Sequence, residues 1–171
     1  HNSMAGEAFL TDIVRQRTIG LIENGLPLTG TGLADPMKRM GQNFLVAPKD
    51  LRRVADAADL SRRDAVLEIG TGLGRLTVLL AERADRVLSV EIDRGLYRIA
   101  SQNLAALPNV RLLCGDFLES KHRIDPAVTE QARSILSEPE RGLKVVSNLP
   151  YSISSPAIVN LLEWDVPVGE M

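Results

Sequence analysis

Cysteine is nearly absent: Cys114 stands alone in 171 residues. A disulfide framework within one chain is therefore excluded, and a reducing compartment, the cytoplasm, is the expectation. Long apolar runs are missing too. No stretch approaches the roughly 20 apolar residues that a membrane span needs. The first residues lack the charged segment and apolar core of a secretory signal. Internal repeats and low-complexity tracts are also lacking, which leaves an ordinary globular domain with a sizeable core. Finally, there is no excess of positive charge. The net charge is −2 and the pI near 5.7, whereas phosphate binding usually leaves a basic footprint.

What is present begins with a local basic stretch: Lys38-Arg39, Lys49, Arg52-Arg53 and Arg62-Arg63. It fits a nucleic-acid contact or a solvated helix face, and charge pattern alone leaves both open. His1-Asn2-Ser3 ahead of Met4 reads as an expression scar. Residues 9–24 read as a helix, with Leu10, Ile13, Val14 and Leu21 on one stripe. A loop rich in Gly, Pro and Thr follows from Gly25 to Pro36, so residues 1–36 form an N-terminal helix and loop ahead of a domain at 37–171. A second helix starts near Pro48 and places Leu51, Val54, Ala55 and Ala58 on one face.

From residue 65 the rhythm changes. Short apolar runs at Ala65–Ile69, Arg86–Val90, Val110–Leu113 and Lys144–Ser147 read as strands, with helices at Leu73–Ala84 and from Asp93 between them. A polar insertion from about Ser120 to Gly142 holds a surface helix near Ala127–Leu136. A last helix is expected to start at Ser155-Pro156, a cap residue followed by a first-turn proline. Strands alternating with helices imply a mostly parallel sheet flanked by helices. Ligands of such sheets bind outside the carboxyl ends of the strands.

Each of the four strand ends carries glycine or a polar residue. The first is Gly70-Thr71-Gly72-Leu73-Gly74. Its G-x-G-x-G spacing differs from the G-x-G-x-x-G that seats a pyrophosphate, which favours a ligand without phosphates over NAD. Glu91 follows Gly70 by 21 positions (91 − 70), the spacing of a carboxylate that accepts ribose hydroxyls. Asp93 reads as a helix cap. Asp116 ends the third strand, where a carboxylate can accept an adenine amino group and Phe117 or a neighbour can cover the ring. Together these three ends make a nucleoside pocket. The fourth end, Asn148-Leu149-Pro150-Tyr151, offers an amide oxygen, carbonyls freed by a proline and a flat ring for stacking on a base.

An Asn-Leu-Pro-Tyr tetrad after the fourth strand is similar to the catalytic motif of amino-group methyltransferases. With Ser152-Ile153-Ser154-Ser155-Pro156 after it, and Lys38-Arg39-Met40-Gly41-Gln42-Asn43-Phe44-Leu45 upstream, the chain resembles the ribosomal RNA adenine-N6 dimethyltransferases over roughly residues 35–162. Five motifs occur in that family's order: Gly41–Leu45, Glu68–Gly74, Glu91–Asp93, Gly115-Asp116 and Asn148–Tyr151.

The resemblance implies a Rossmann-like fold, S-adenosylmethionine as cofactor, S-adenosylhomocysteine as product and no metal. It implies an RNA-binding enzyme of ribosome biogenesis, acting on ribosomal RNA within a small-subunit assembly intermediate and not at a membrane. Gln42, Asn43 and the backbone at Leu45 would contact or cover the cofactor. Gly70 and Gly72 would let it approach the first strand, Glu91 would hold the ribose and Asp116 the adenine. Asn148, which also borders the cofactor, and the Leu149 carbonyl would accept the target amino group. Pro150 would stiffen the turn, and Tyr151 would stack on the extruded base. The branch that dimethylates two adjacent adenines in the terminal hairpin of small-subunit RNA fits Leu149 and the Ser-Ser-Pro run. The alternatives are the large-subunit, macrolide-resistance branch, a DNA adenine or protein amide methyltransferase, and a non-catalytic assembly or transcription factor that kept the pocket. A nicotinamide oxidoreductase is more distant.

Family members continue with further strands, a Phe-Pro-Pro-containing motif and a small helical C-terminal domain, none of which is read after Trp164. The sheet is therefore expected to be truncated after the fourth strand and its helix. That strand would become an apolar edge, open to pairing with another chain.

Overall fold

The computed structural model of the protein describes residues 48–136, 142–148 and 151–170. The helix expected at 9–24 and the loop at 25–36 lie outside these residues. The first described helix, α1 (Pro48–Ala57), starts on the proline and buries Leu51 and Ala55, four residues apart on one face. Its other face carries Lys49, Arg52 and Arg53, all exposed, with Arg53 3.8 Å from Asp50. Arg62 instead turns to the carbonyls of Ala81 and Ala84, at 3.4 and 3.2 Å. This part of the basic stretch is thus a solvated helix face plus one structural clamp.

Five parallel strands form the sheet. In chain order they are β1 (Ala65–Ile69), β2 (Arg86–Glu91), β3 (Val110–Cys114), β6 (Leu143–Val145) and β7 (Val168–Glu170), arranged β3-β2-β1-β6-β7. Every residue of β1 is buried, as a parallel strand with neighbours on both sides and helices over both faces requires. Helix α2 (Arg75–Ala81) follows β1, and α3 (Arg94–Leu104) follows β2. The polar insertion folds into a hairpin, β4 (Leu118–Ser120) and β5 (Arg123–Ile124), and helix α4 (Pro126–Ile135). Helix α5 (Tyr151–Leu162) links β6 to β7.

Alternation along β1 divides the core. Leu67 joins Leu88, Leu143, Val128, Ile135 and Leu161 in the cluster under α4 and α5. Its neighbour Glu68 points to the opposite face and meets Thr77 of α2. Full burial of one such leucine contributes roughly 1.5–3 kcal/mol. The chain moves from β1 to β2 and β3 in one direction, then returns to place β6 on the other flank of β1. That reversal opens a crevice outside the carboxyl ends of β1 and β6, the position where such sheets bind ligands.

Three expectations need correction. The fourth strand, β6, is not an edge: Leu143 pairs with Val168 and Lys144 with Glu170 of β7. Pro167 hid this strand, because a proline removes a ladder donor. It stands just before the strand, and its carbonyl accepts the Leu143 N–H at 2.7 Å. Pairing with another chain through an open edge of this strand is thereby withdrawn. The last helix starts at Tyr151, not at Ser155-Pro156, and takes Pro156 inside. An interior proline forfeits one backbone hydrogen bond, here offset by burial of Ala157, Asn160 and Leu161. Helix α4 is more than a surface helix, since Val128, Ala132 and Ile135 are buried. No described helix is long and apolar enough to cross a membrane.

Candidate active site

The end of β1 turns into α2 through three glycines with positive φ, Gly70 at 83°, Gly72 at 58° and Gly74 at 83°. L-residues with a side chain rarely take this conformation. At Gly74 space matters as well, since an added Cβ would lie 3.1 Å from Leu104 Cγ. The turn is fixed to β2: the Gly70 N–H donates to the Val90 carbonyl at 2.8 Å. The Gly72 N–H donates to Glu91 Oε2 at 2.7 Å. The glycine turn and the carboxylate 21 positions after Gly70 (91 − 70) are thus in direct contact.

Glu91 is 2% exposed. Its other oxygen, Oε1, accepts the Asp93 N–H at 2.9 Å. Burial pushes this carboxyl above the usual carboxylate range, against the pull of the Asp93 and Gly72 N–H bonds. Each oxygen of a carboxylate has two lone pairs, so both keep acceptor capacity after meeting these backbone donors. Asp93 is the cap of α3, as expected, with its side chain accepting the Leu96 N–H at 2.8 Å.

The third strand end lies beside the second, where the Gly115 N–H donates to the Glu91 carbonyl at 2.9 Å. Asp116 is exposed and its Oδ1 accepts the Leu118 N–H at 3.0 Å. That bond is a turn contact at the carboxyl end of β3, and the side chain is exposed. Phe117 does not cover a ligand. It is 3% exposed, within the core, and packs edge-on against Trp164 with ring centroids 6.4 Å apart. Ile92 is the apolar side chain that stands free instead, 57% exposed directly after Glu91. An apolar residue between two acids, outside its strand, was the signal that could have found it. Phe117→Leu is accordingly expected to lower stability by about 1–2 kcal/mol through lost ring packing. Cofactor affinity should stay within about twofold. Chemical denaturation and calorimetric titration check the two halves of this statement.

The fourth end adjoins the first. The Val146 N–H donates to the Leu67 carbonyl at 3.0 Å, the last backbone bond between the strands. At the next step Ser147 Oγ accepts the Ile69 N–H at 2.8 Å. A side chain replaces the ladder there, and the chain leaves the sheet at Asn148, which is exposed. Sequence reasoning missed the role of Ser147, because a serine before a turn carries no distinctive pattern. The sites read at Leu149 and Pro150, and at Gln42, Asn43 and Leu45, lie outside the described residues. Of Tyr151, the backbone position at the start of α5 is described.

The donor set fits a nucleoside. It offers a backbone turn, an acidic side chain for a sugar diol, an exposed apolar residue for a ring and a further carboxylate for a ring amino group. Gly70, Gly72, Glu91, Ile92, Asp116 and Asn148 all sit on the ends of four adjacent strands.

Residues 36–170 match the sequence model of the family described as ribosomal RNA adenine dimethylase. Curated proteins called ribosomal RNA small subunit methyltransferase A are similar to this chain. That of Moorella thermoacetica is 42% identical over 159 residues, covering 91% of this chain and 50% of its own. That of Alkaliphilus oremlandii is 41% identical over 134 residues, covering 78% and 44%. The chain therefore spans about half the length of these relatives. Among solved structures, the 23S rRNA methyltransferase ErmE matches with a TM-score of 0.58 and 32% identity, over 74% of this chain and 45% of that one. A dimethyladenosine transferase from Plasmodium falciparum matches with a TM-score of 0.53 and 27% identity, over 71% and 38%.

Proposed function

The chain belongs to the ribosomal RNA adenine dimethylase family, and from that membership we propose the following activity. It transfers methyl groups from S-adenosylmethionine to N6 of two adjacent adenines in the 3′-terminal hairpin of small-subunit ribosomal RNA. The product is N6,N6-dimethyladenosine, made in the cytoplasm on an assembly intermediate of the small subunit. The observation that carries this reading is the pairing of two neighbouring features. One is the glycine turn bonded to Glu91. The other is the exposed Asn148 on the adjoining strand end.

When bound, S-adenosylmethionine supplies an activated methyl group on a sulfonium, itself a good leaving group. The chain's own residues bind and orient. Gly70 and Gly72 admit the cofactor to the backbone of the turn, Glu91 accepts the ribose hydroxyls, and Ile92 and Asp116 receive the adenine. Gln42, Asn43 and the backbone at Leu45 contact or cover the cofactor. An adenine N6 is a weak nucleophile, because its lone pair is delocalised into the ring. Asn148 and the Leu149 carbonyl accept its N–H groups and favour a pyramidal nitrogen, with the lone pair free to attack. Pro150 keeps that carbonyl clear of local hydrogen bonds, and Tyr151 stacks on the base. Catalysis is then a matter of fixed acceptors and orientation. The base must leave its stack to be reached, which favours a hairpin or loop over intact duplex.

The match to ErmE favours a second reading, methylation of a large-subunit adenine. A transfer assay with labelled cofactor separates the two. We expect incorporation into the small-subunit terminal hairpin and little into a large-subunit fragment. The reverse preference would move the chain to the second branch. Incorporation into neither RNA, with cofactor bound, would favour a non-catalytic factor.

A further inference from the structure

Among the described residues, the mechanism above leaves two buried carboxyl groups unused, Asp64 and Glu68, and the second lies beside the glycine turn. Glu68, next to last in β1, is 1% exposed. Its Oε2 accepts hydrogen bonds from Thr77 Oγ1 at 2.5 Å and from Ser89 Oγ at 2.6 Å. Ser89 Oγ also lies 2.5 Å from Thr71 Oγ1. A hydroxyl has one proton to give. Ser89 gives its own to Glu68, so the Thr71 hydroxyl must donate to Ser89. Three elements thus converge on one carboxylate: α2 through Thr77, β2 through Ser89, and the glycine turn through Thr71. Thr71 sits between Gly70 and Gly72, and the Gly72 N–H is the donor that holds Glu91.

We propose that Glu68 is the positioning residue of the cofactor turn: its carboxylate, acting through Ser89 and Thr71, holds the turn in the shape that receives S-adenosylmethionine. The inference rests on the cofactor reading given above. It goes further in assigning a role to a side chain that touches neither cofactor nor target.

The relay needs an acceptor at its inner end. A protonated Glu68 carries an O–H of its own. The bonds from Ser89 and Thr77 then lose the charge of their acceptor and become neutral ones about half as strong, and the donor order between Ser89 and Thr71 can reverse, so the turn is held less firmly. Burial pushes the Glu68 carboxyl up to about 7, the Ser89 and Thr77 hydrogen bonds pull it down, and the Glu91 charge adds to the rise. The α2 helix and the turn present hydroxyls to it, and β2 presents Ser89 and Glu91. The change of state therefore falls in the neutral range, with the ionised form gaining as pH rises.

If only the ionised form receives the cofactor, the apparent Kd is the intrinsic value divided by the ionised fraction. For a group at about 7, the Kd then rises about tenfold from pH 8 to pH 6. The test is calorimetric titration of the full chain with S-adenosylmethionine at pH 6, 7 and 8, with thermal unfolding run on every variant. Wild type should weaken about tenfold toward pH 6. Glu68→Gln keeps an acceptor oxygen but does not titrate, and should bind with a flat profile, while Glu91 remains in place. Ser89→Ala keeps the Glu68–Thr77 bond but cuts the relay, and should flatten the profile too. Thr71→Ser should retain the slope that Thr71→Val loses, which keeps the idea testable if Glu68→Gln does not fold. A flat wild-type profile would overturn the inference, as would a slope that survives in Glu68→Gln or Ser89→Ala. Absence of S-adenosylmethionine binding by wild type at every pH would overturn the cofactor reading, and the inference with it.

Discussion

Replacing Asn148 by alanine is expected to lower the rate of methyl transfer about 100- to 1000-fold, the scale of losing one fixed acceptor or donor from a transition state. The affinity for S-adenosylmethionine should change by no more than about threefold. Asn148 stands exposed where β6 leaves the sheet, and Ser147 Oγ ties that exit to the Ile69 N–H at 2.8 Å. Its amide oxygen is therefore presented from a fixed root. An acceptor that favours the pyramidal nitrogen acts most strongly as the methyl group moves, so its loss should fall on kcat more than on KM. Asn148→Asp keeps an acceptor and should lie between the two. Steady-state transfer kinetics on the terminal hairpin check this. A wild-type rate from Asn148→Ala would remove the residue from the mechanism.

Glu91→Ala should weaken cofactor binding by about 30- to 100-fold, equivalent to about 2–3 kcal/mol. The substitution removes the acceptor of the Gly72 N–H and of the Asp93 N–H, so the glycine turn loses its attachment to β2 as well as the ribose its partner. Relief from holding a buried carboxylate offsets part of the structural cost. Stability should consequently fall less than affinity. Glu91→Gln retains one acceptor oxygen and should lose less than the alanine variant. Calorimetric titration gives the affinities and thermal unfolding the stabilities. Unchanged affinity in a folded Glu91→Ala would show that the ribose is held elsewhere.

How far these sites were legible in the sequence depended on whether the signal was local. The first three strands of the sheet announced themselves as short apolar runs ending in glycine or polar residues. That Glu91 ends the strand next to the glycine turn was legible from its spacing to Gly70, because one helix and one strand of nearly fixed length lie between them, but the bond from the Gly72 N–H to Glu91 was not. Asp93 as a cap followed from its place just ahead of a periodic stretch. The elements that escaped were those whose meaning is set by distant partners. Strand β7 was hidden by Pro167, whose missing donor argues against a strand until its carbonyl is seen to accept the Leu143 N–H. The hairpin of β4 and β5 has strands of three and two residues, too short for an alternation to show. Phe117 looked like a candidate to cover a ligand because Trp164, its packing partner, is remote in the chain. Glu68 was visible as the first residue of the glycine motif. The convergence of Thr77 and Ser89 on its carboxylate belongs to the fold alone.

The most direct test of the account is a calorimetric titration of this chain with S-adenosylmethionine, with NAD as the comparison. Saturable binding of S-adenosylmethionine at one site, with no heat from NAD, is the expected result. Binding of NAD without S-adenosylmethionine would contradict it.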